Sequence, residues 1–155
     1  METLERLLAE HDLFRGLDDR YVTLLTGCAA NVRFDDGAFL LREGEPADRF
    51  FVLREGRVAL EIRAPGRGPI VIQTLGHDDV LGYSWLFPPF RWRFDARAIE
   101  PTRALALDGQ CLRGKCDEDP VLGYELMKRF AGIALQRLQA TRLQLLDVYG
   151  HVGAR

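Results

Sequence analysis

Short segments of β-forming residues, separated by glycine, proline and acidic residues, fill positions 29–108 and constrain the fold more than any other feature of the sequence. Each segment combines β-branched, aromatic or leucine residues, and their spacing of roughly 8–12 residues is typical of a β-sandwich or β-barrel. The predicted strands are Asn31–Phe34, Ala38–Arg42, Arg49–Arg54, Val58–Arg63, Ile70–Leu75, Phe94–Ile99 and Thr102–Leu107. We therefore expect a β-unit over residues 29–108.

Turns between these strands are marked by residues with special backbone requirements. Asp36-Gly37 and Glu55-Gly56 supply the glycine that a turn with positive φ needs. The connection 65–69 begins and ends with proline, which has no N–H to donate and is therefore excluded from a central strand. The sequence predicts turns at these three places.

Helical patterns flank the β-unit on both sides. Residues 3–14 carry leucines near helical spacing behind the cap candidate Thr3, and a second short helix is predicted between Asp18 and Gly27. We expect a single domain over residues 1–155, with N-terminal helices over 1–28, the β-unit over 29–108 and C-terminal helices over 109–149.

A long helix is predicted from Val121 to about Val148, after Pro120, which suits a first helical turn. At 1.5 Å per residue it would extend roughly 40 Å, farther than a small β-unit reaches. Its apolar stripe, close to heptad spacing, comprises Leu135, Leu138, Leu145 and Val148. The distal half, residues 140–148, must pack back on the barrel or meet a partner, and we expect a two-fold homodimer through residues 121–148.

Length and composition are those of one ordinary globular domain. The chain has 155 residues, of which 47% are hydrophobic and 28% charged, enough for a genuine core. A net charge of −2 and a pI of about 5.9 argue against the broad basic surface that non-specific nucleic-acid binding requires. No apolar run approaches the roughly 18 residues of a membrane span, and the N-terminus lacks a secretory pattern, so we expect no membrane association.

The three cysteines, Cys28, Cys111 and Cys116, are an odd number in a chain large enough to fold without them. This predicts reduced thiols and a cytoplasmic location. Four residues separate Cys111 from Cys116, which is not the spacing of zinc ribbons or of redox motifs. Arg113 and Lys115 leave a redox-sensing thiol as the alternative, so the redox role of the three cysteines stays open.

Catalytic motifs are absent from the sequence, which contains no GxSxG, HExxH or Walker pattern. The three histidines, His11, His77 and His151, show no metal-ligand spacing. We therefore expect a protein that is not an enzyme and that holds neither a metal nor a covalent cofactor.

One glycine-punctuated segment, Asp36–Val58, carries a resemblance to a known family. With Gly37, Gly44 and Gly56 at turn positions, it resembles the cyclic-nucleotide-binding domain of Crp/Fnr-type regulators, protein kinase A regulatory subunits and gated channels. The resemblance extends over about residues 13–149. It implies a mainly β fold, a jelly-roll-like barrel with N-terminal helices and a long C-terminal helix.

In that family a phosphate-binding cassette follows the sixth strand, and the resemblance places it at residues 82–98. Backbone N–H groups and an arginine hold the cyclic phosphate there, and a glutamate accepts the ribose 2′-hydroxyl. Gly82 matches the opening glycine, but Tyr83 stands at the glutamate position. Ser84 follows, as either a phosphate contact or a helix cap.

The cassette arginine has more than one candidate, because this cassette is about one residue short. Counting forward from Gly82 places Arg93 at the arginine position, and counting back from Ala98 places Trp92 there. Arg91 and Arg93 would share one face of an extended segment, and either could hold an anion. The sequence does not decide between these two arginines.

Two further sets of residues are ligand candidates. The resemblance places Thr141 and Arg142 of the long helix where the family meets the nucleobase. The aromatic residues of the cassette predict core packing first, with a stacking platform or an exposed partner surface as alternatives. They are Tyr83, Trp85, Phe87, Phe90, Trp92 and Phe94.

The resemblance implies a stand-alone regulatory or sensory domain that binds cyclic AMP, cyclic GMP or a related anion and signals through the dimer helix to an unidentified effector protein. The alternative is a pseudo-sensor, a protein-interaction or scaffolding module whose pocket is filled by Trp85, Trp92 or Tyr83. An aromatic ring in the cavity would indicate the alternative. Residues 150–155 are too few for the winged helix of Crp/Fnr regulators, so we expect no direct DNA binding by this chain.

Overall fold

Eight strands pair in antiparallel fashion into two four-stranded sheets. The computed structural model describes residues 3–153, with side chains for residues 3–150. The strands are β1 Ala29–Phe34, β2 Phe39–Leu41, β3 Arg49–Glu55, β4 Val58–Ala64, β5 Gly68–Leu75, β6 Val80–Leu81, β7 Asp95–Ala98 and β8 Thr102–Asp108. The orders are β1-β8-β3-β6 and β2-β7-β4-β5, and the mainly β fold with flanking helices is confirmed.

Strand β3 is apolar on both faces because both faces are covered. Phe50 and Val52 pack against the helices, whereas Phe51 and Leu53 point between the two sheets. Successive side chains of a strand alternate between faces, so a continuous apolar run is what a doubly covered strand requires.

The barrel interior combines large residues with a group of alanines. Its buried side chains are Leu40, Leu41, Ala47, Phe51, Leu53, Val58, Leu60, Leu75, Leu81, Trp92, Ala96, Ala98, Ala104 and Ala106. Ala96 and Ala98 lie on β7, and Ala104 and Ala106 lie on β8. These four small residues leave volume that the indole of Trp92 helps to fill, in keeping with the close packing of protein interiors.

The turn between β3 and β4 requires glycine. Gly56 has a φ of +97°, and a Cβ there would lie 2.5 Å from both the carbonyl oxygen of Pro101 and the hydroxyl of Thr102. Both the backbone conformation and the close approach exclude a side chain. The predicted turn at Glu55-Gly56 is therefore present for the expected reason.

The described residues form four α-helices: α1 Leu4–Glu10, α2 Asp19–Thr26, α3 Gly109–Glu118 and α4 Pro120–Gly153; a 3-10 helix, Ser84–Leu86, follows β6. Thr3 caps α1 and Asp18 caps α2, as the sequence predicts. The predicted extension of the first helix to residue 14 is wrong. The Nδ1 atom of His11 accepts a hydrogen bond from the N–H of Leu13, and the chain turns there.

The helices α1 to α4 pack on the outer face of the first sheet and form a second core. Its largest fully buried members are Trp85, Phe14, Phe50, Phe130, Leu8 and Leu25. Residues 138–150 of α4, which include the distal half, make no such contact within the described structure, since every residue there is exposed. Within residues 3–153, no helix is both long and apolar enough to cross a membrane.

The expectation that the cysteines are reduced is wrong for two of them. Cys28 and Cys111 form a disulfide, and Cys116 is free. The reason is topological: β1 pairs with β8, with Ala29 opposite Leu107, so residues 83 apart in sequence reach a Cα–Cα distance of 6.1 Å. That separation lies in the usual range for disulfides, and sequence spacing could not reveal it.

Candidate functional site

Gly82 ends β6 in a conformation that only glycine tolerates well. Its φ is +94°, and a Cβ at this position would lie 2.7 Å from two atoms of the Trp92 ring. The indole therefore occupies the space directly over the first residue of the cassette.

Trp92 is held in the barrel by its backbone as well as by its ring. Its N–H donates to the carbonyl of Glu45 at 3.0 Å, and its carbonyl accepts from the N–H of Gly44 at 2.9 Å. The side chain is 4% exposed and belongs to the barrel core. Among the sequence candidates, the structure thus brings Trp92 and Gly82 into contact.

Arg91 and Arg93 are both exposed. Arg91 donates to the carbonyl of Gly44 at 3.0 Å. The alternation that turns Trp92 inward turns the residues on either side of it outward. Neither arginine belongs to the barrel interior as described.

Tyr83 connects the cassette to the long helix. The guanidinium carbon of Arg137, on α4, lies 5.6 Å from the centroid of the half-buried Tyr83 ring, and Arg137 also donates to the carbonyl of Val80. Burial lowers the pKa of Arg137, while the neighbouring Tyr83 and Asp79 act in the opposite direction. The residue at the family's glutamate position is thus engaged by a cation of the same chain.

Ser84 and Trp85 begin the 3-10 helix. Ser84 is its first residue and Tyr83 precedes it without a side-chain cap bond, so Ser84 does not act as the cap. Trp85 is fully buried: its ring stacks on Phe50 at 5.2 Å and meets Phe130 of α4 edge-on at 5.4 Å. Its Nε1 atom is buried without a hydrogen-bond partner in the described residues.

The aromatic residues therefore divide by environment. The two tryptophans are core residues, as the core-packing interpretation predicts, whereas Phe87 is 49% exposed. Thr141 and Arg142 are exposed on α4, and the hydroxyl of Thr141 donates to the carbonyl of Arg137 at 2.9 Å. The sequence did not single out Arg137 as a site residue, although it lies one turn before Thr141 on the same face of the helix, which could have indicated it.

A cavity of about 550 Å³ lies between α4 and the barrel edge. Its walls include Gln136, Arg137 and Ala140 of α4, and Gln73 and Leu75 of β5. Cavities of about 690, 480 and 390 Å³ open elsewhere on the described surface. The residues that line these four cavities all lie outside the segment 82–94.

Comparison with known proteins identifies relatives of the whole fold. A CRP-like cAMP-activated global transcriptional regulator of Mycobacterium tuberculosis is 28% identical over 145 residues, which cover 94% of this chain. The match covers 63% of the regulator, so this chain spans less than two thirds of that relative's length.

Solved structures agree with the described fold. A provisionally assigned cyclic nucleotide-binding protein from Geobacter metallireducens GS-15 is 27% identical, with a TM-score of 0.79 over 89% of this chain and 99% of its own. The N-terminal domain of a transcriptional regulator from Streptomyces coelicolor A3(2) is also 27% identical, with a TM-score of 0.67 over 90% of this chain and 95% of its own. The model of the family described as cyclic nucleotide-binding domain matches residues 31–119. The chain that folds Gly82 and Trp92 together in this barrel belongs to the cyclic nucleotide-binding domain family.

Proposed function

We propose that this chain is a regulatory module that acts through protein–protein contacts and does not hold a cyclic nucleotide in its cassette. One observation carries the proposal: the Trp92 indole, 4% exposed, lies within the barrel and against Gly82. A ligand phosphate at the cassette would need the space that the ring fills. Displacing the ring would expose a large apolar side chain, which is costly.

The polar side chains of the cassette support the same proposal. The family's ribose acceptor is replaced by Tyr83, whose ring faces the Arg137 guanidinium. Arg91 donates a hydrogen bond to the backbone carbonyl of Gly44, and Arg93 is exposed. A cyclic nucleotide in the barrel would therefore lack both the carboxylate that accepts its ribose hydroxyl and an inward guanidinium for its phosphate.

The output in this proposal is α4. The cassette contacts this helix at two points, Tyr83 with Arg137 and Trp85 with Phe130. Further along α4, the exposed leucines of the distal half form the homodimer surface, and the dimer binds an unidentified effector protein. A cytoplasmic location is part of the proposal.

Calorimetric titration of the full chain with cyclic AMP and cyclic GMP tests the proposal. We expect no heat of binding at high protein concentration. Trp92→Ala, checked for folding by circular dichroism, separates two causes. Binding heat in this variant but not in the wild type means that the ring closes the site. No binding heat in either protein means that the lost polar contacts are enough to prevent binding. Saturable heat in the wild type that Arg93→Ala abolishes would overturn the proposal.

Nucleotide sensing is the second candidate function, and the cavity of about 550 Å³ favours it. Arg137 lines this cavity and faces Tyr83, so a nucleotide there could contact α4 without entering the barrel. In that case Thr141 and Arg142, one turn further along α4, are the nearest of the predicted ligand residues. Arg137→Ala should then abolish any heat that wild type shows, whereas Arg93→Ala should abolish it if the cassette binds.

A further inference from the structure

The Cys28–Cys111 disulfide lies in the wall of a surface groove of about 690 Å³, which we call the sulfur groove. Cys28, 8% exposed, precedes β1, and the half-buried Cys111 lies in the first turn of α3. Because both cysteines line the groove, a thiol in solution can approach the bond from there. In a reducing compartment, such as the cytoplasm proposed above, disulfides are usually catalytic or redox-sensing.

The helix that carries Cys111 is joined to the cassette. Two residues after this cysteine, Arg113 donates to the carbonyl of Trp85 at 2.6 Å, and its guanidinium carbon lies 4.4 Å from the centroid of the Phe90 ring. Two residues before it, Gly109 packs so closely that a Cβ would lie 3.0 Å from the Cβ of Trp85. A displacement of the first turn of α3 would therefore change the packing around Trp85.

From Trp85 the contacts continue to the long helix. Its ring meets Phe130 of α4, and Phe50 contacts both rings. The disulfide, α3, the 3-10 helix and α4 thus form one chain of direct contacts. Packed elements of this kind respond together when one of them shifts.

We propose that Cys28–Cys111 is a reversible redox site whose reduction by a dithiol loosens α3 from β1 and alters the cassette. A thiolate of the dithiol attacks the sulfur of Cys111, the more exposed of the two residues, and the bond to Cys28 breaks with release of the Cys28 thiolate, which takes up a proton. The second thiol of the reductant then attacks the mixed disulfide and releases Cys111. Two electrons pass to the protein, and the dithiol becomes a disulfide.

Cys116 stays outside this exchange. Burial, with help from the nearby carboxylates of Asp117 and Asp119, raises the pKa of its thiol. A protonated thiol is a poor nucleophile, and the raised pKa therefore disfavours attack by Cys116 on the disulfide. It provides the matched control for every measurement on the pair.

The test begins with thiol counting on the full chain purified without reductant. Alkylation after unfolding, read by mass spectrometry, should modify Cys116 alone, and all three cysteines after treatment with dithiothreitol. Hydrogen exchange then compares oxidised and reduced protein. We expect faster exchange on reduction in residues 82–94 and 109–118, reversal on reoxidation, the reduced pattern in Cys28→Ser under both conditions, and an unchanged response in Cys116→Ser.

Three results would overturn the proposal. The first is three free thiols in the untreated protein that mild oxidation does not pair. The second is a reduced protein that stays folded with exchange in residues 82–94 unchanged. The third is global unfolding of both the reduced wild type and Cys28→Ser, which would make the bond a structural crosslink. None of these outcomes depends on whether a nucleotide binds, so they are separate from the test of the proposed function.

Discussion

The contact between Gly82 and Trp92 determines whether the barrel interior is filled or open. The addition of a single Cβ atom at residue 82 tests this contact. Gly82→Ala adds a Cβ that would lie 2.7 Å from the Trp92 ring in a backbone conformation with a φ of +94°. We expect the free energy of unfolding in urea to fall by about 2–4 kcal/mol, from a left-handed backbone penalty plus overpacking.

Gly44→Ala is the matched control. Gly44 also has positive φ, +87°, but a Cβ there meets nothing within 4 Å. The control should lose only the backbone contribution, about 1–2 kcal/mol. Equal losses for the two variants would mean that Trp92 does not occupy the space over Gly82.

Residue patterns predicted part of this site. Alternation along 91–93 placed the two arginines on one face and Trp92 on the other, and the structure keeps that division, with Trp92 buried and the arginines exposed. Which face points inward depends on the space inside the barrel, where the small core residues Ala96 and Ala106 lie. That volume is a property of the assembled barrel and cannot be read from residues 91–93.

At the scale of elements, strands bounded by clear turn residues were predictable and the shortest one was not. Each of the seven predicted strands overlaps a strand of the structure, because β-forming residues between glycine, proline and acidic turns are a strong signal. β6, Val80–Leu81, is too short to show a period, and it forms through pairing with Phe51 and Val52 of β3. The 3-10 helix depends in the same way on tertiary contacts, among them those of Trp85.

Asp119, at the beginning of α4, predicts how the stability of the fold depends on pH. Asp119 accepts from the N–H groups of Val121 and Leu122 at 3.1 and 3.3 Å. Burial opposes its ionisation, but these bonds, a hydrogen bond with Tyr21 and the charge of Arg20 together lower the pKa of the carboxyl. A lowered native pKa stabilises the fold above the ordinary carboxyl range, and this stabilisation is lost as the pH falls through the native pKa.

Asp119→Asn keeps a capping oxygen and removes the charge. We expect the variant to be less stable than wild type in urea at neutral pH and the difference to shrink in acid. Asp117→Asn, at an exposed position two residues away, removes a carboxylate without removing the cap and should change stability little. A constant difference between Asp119→Asn and wild type across the acid range would contradict the argument.

For the whole molecule, the exposed apolar stripe of α4 is the feature that the single chain does not explain. Leu135, Leu138, Leu145 and Val148 are 54, 47, 52 and 61% exposed. Of the two arrangements expected for the distal half, packing back on the barrel is not observed, since every residue from 138 to 150 is exposed in the described structure. A two-fold partner would cover the same stripe on both copies at once.

Leu145→Glu tests that arrangement, because it places a charge at the stripe in both copies. Loss of one buried leucine per chain, at about 1.5–3 kcal/mol each, predicts a dissociation constant raised by roughly 100-fold or more. Sedimentation velocity over a range of concentrations measures it. Gln139→Glu adds the same charge about 100° around the helix from Leu138 and should leave the dimer nearly intact. A wild type that stays monomeric at high concentration, or two variants that weaken association equally, would show that the long helix has another partner.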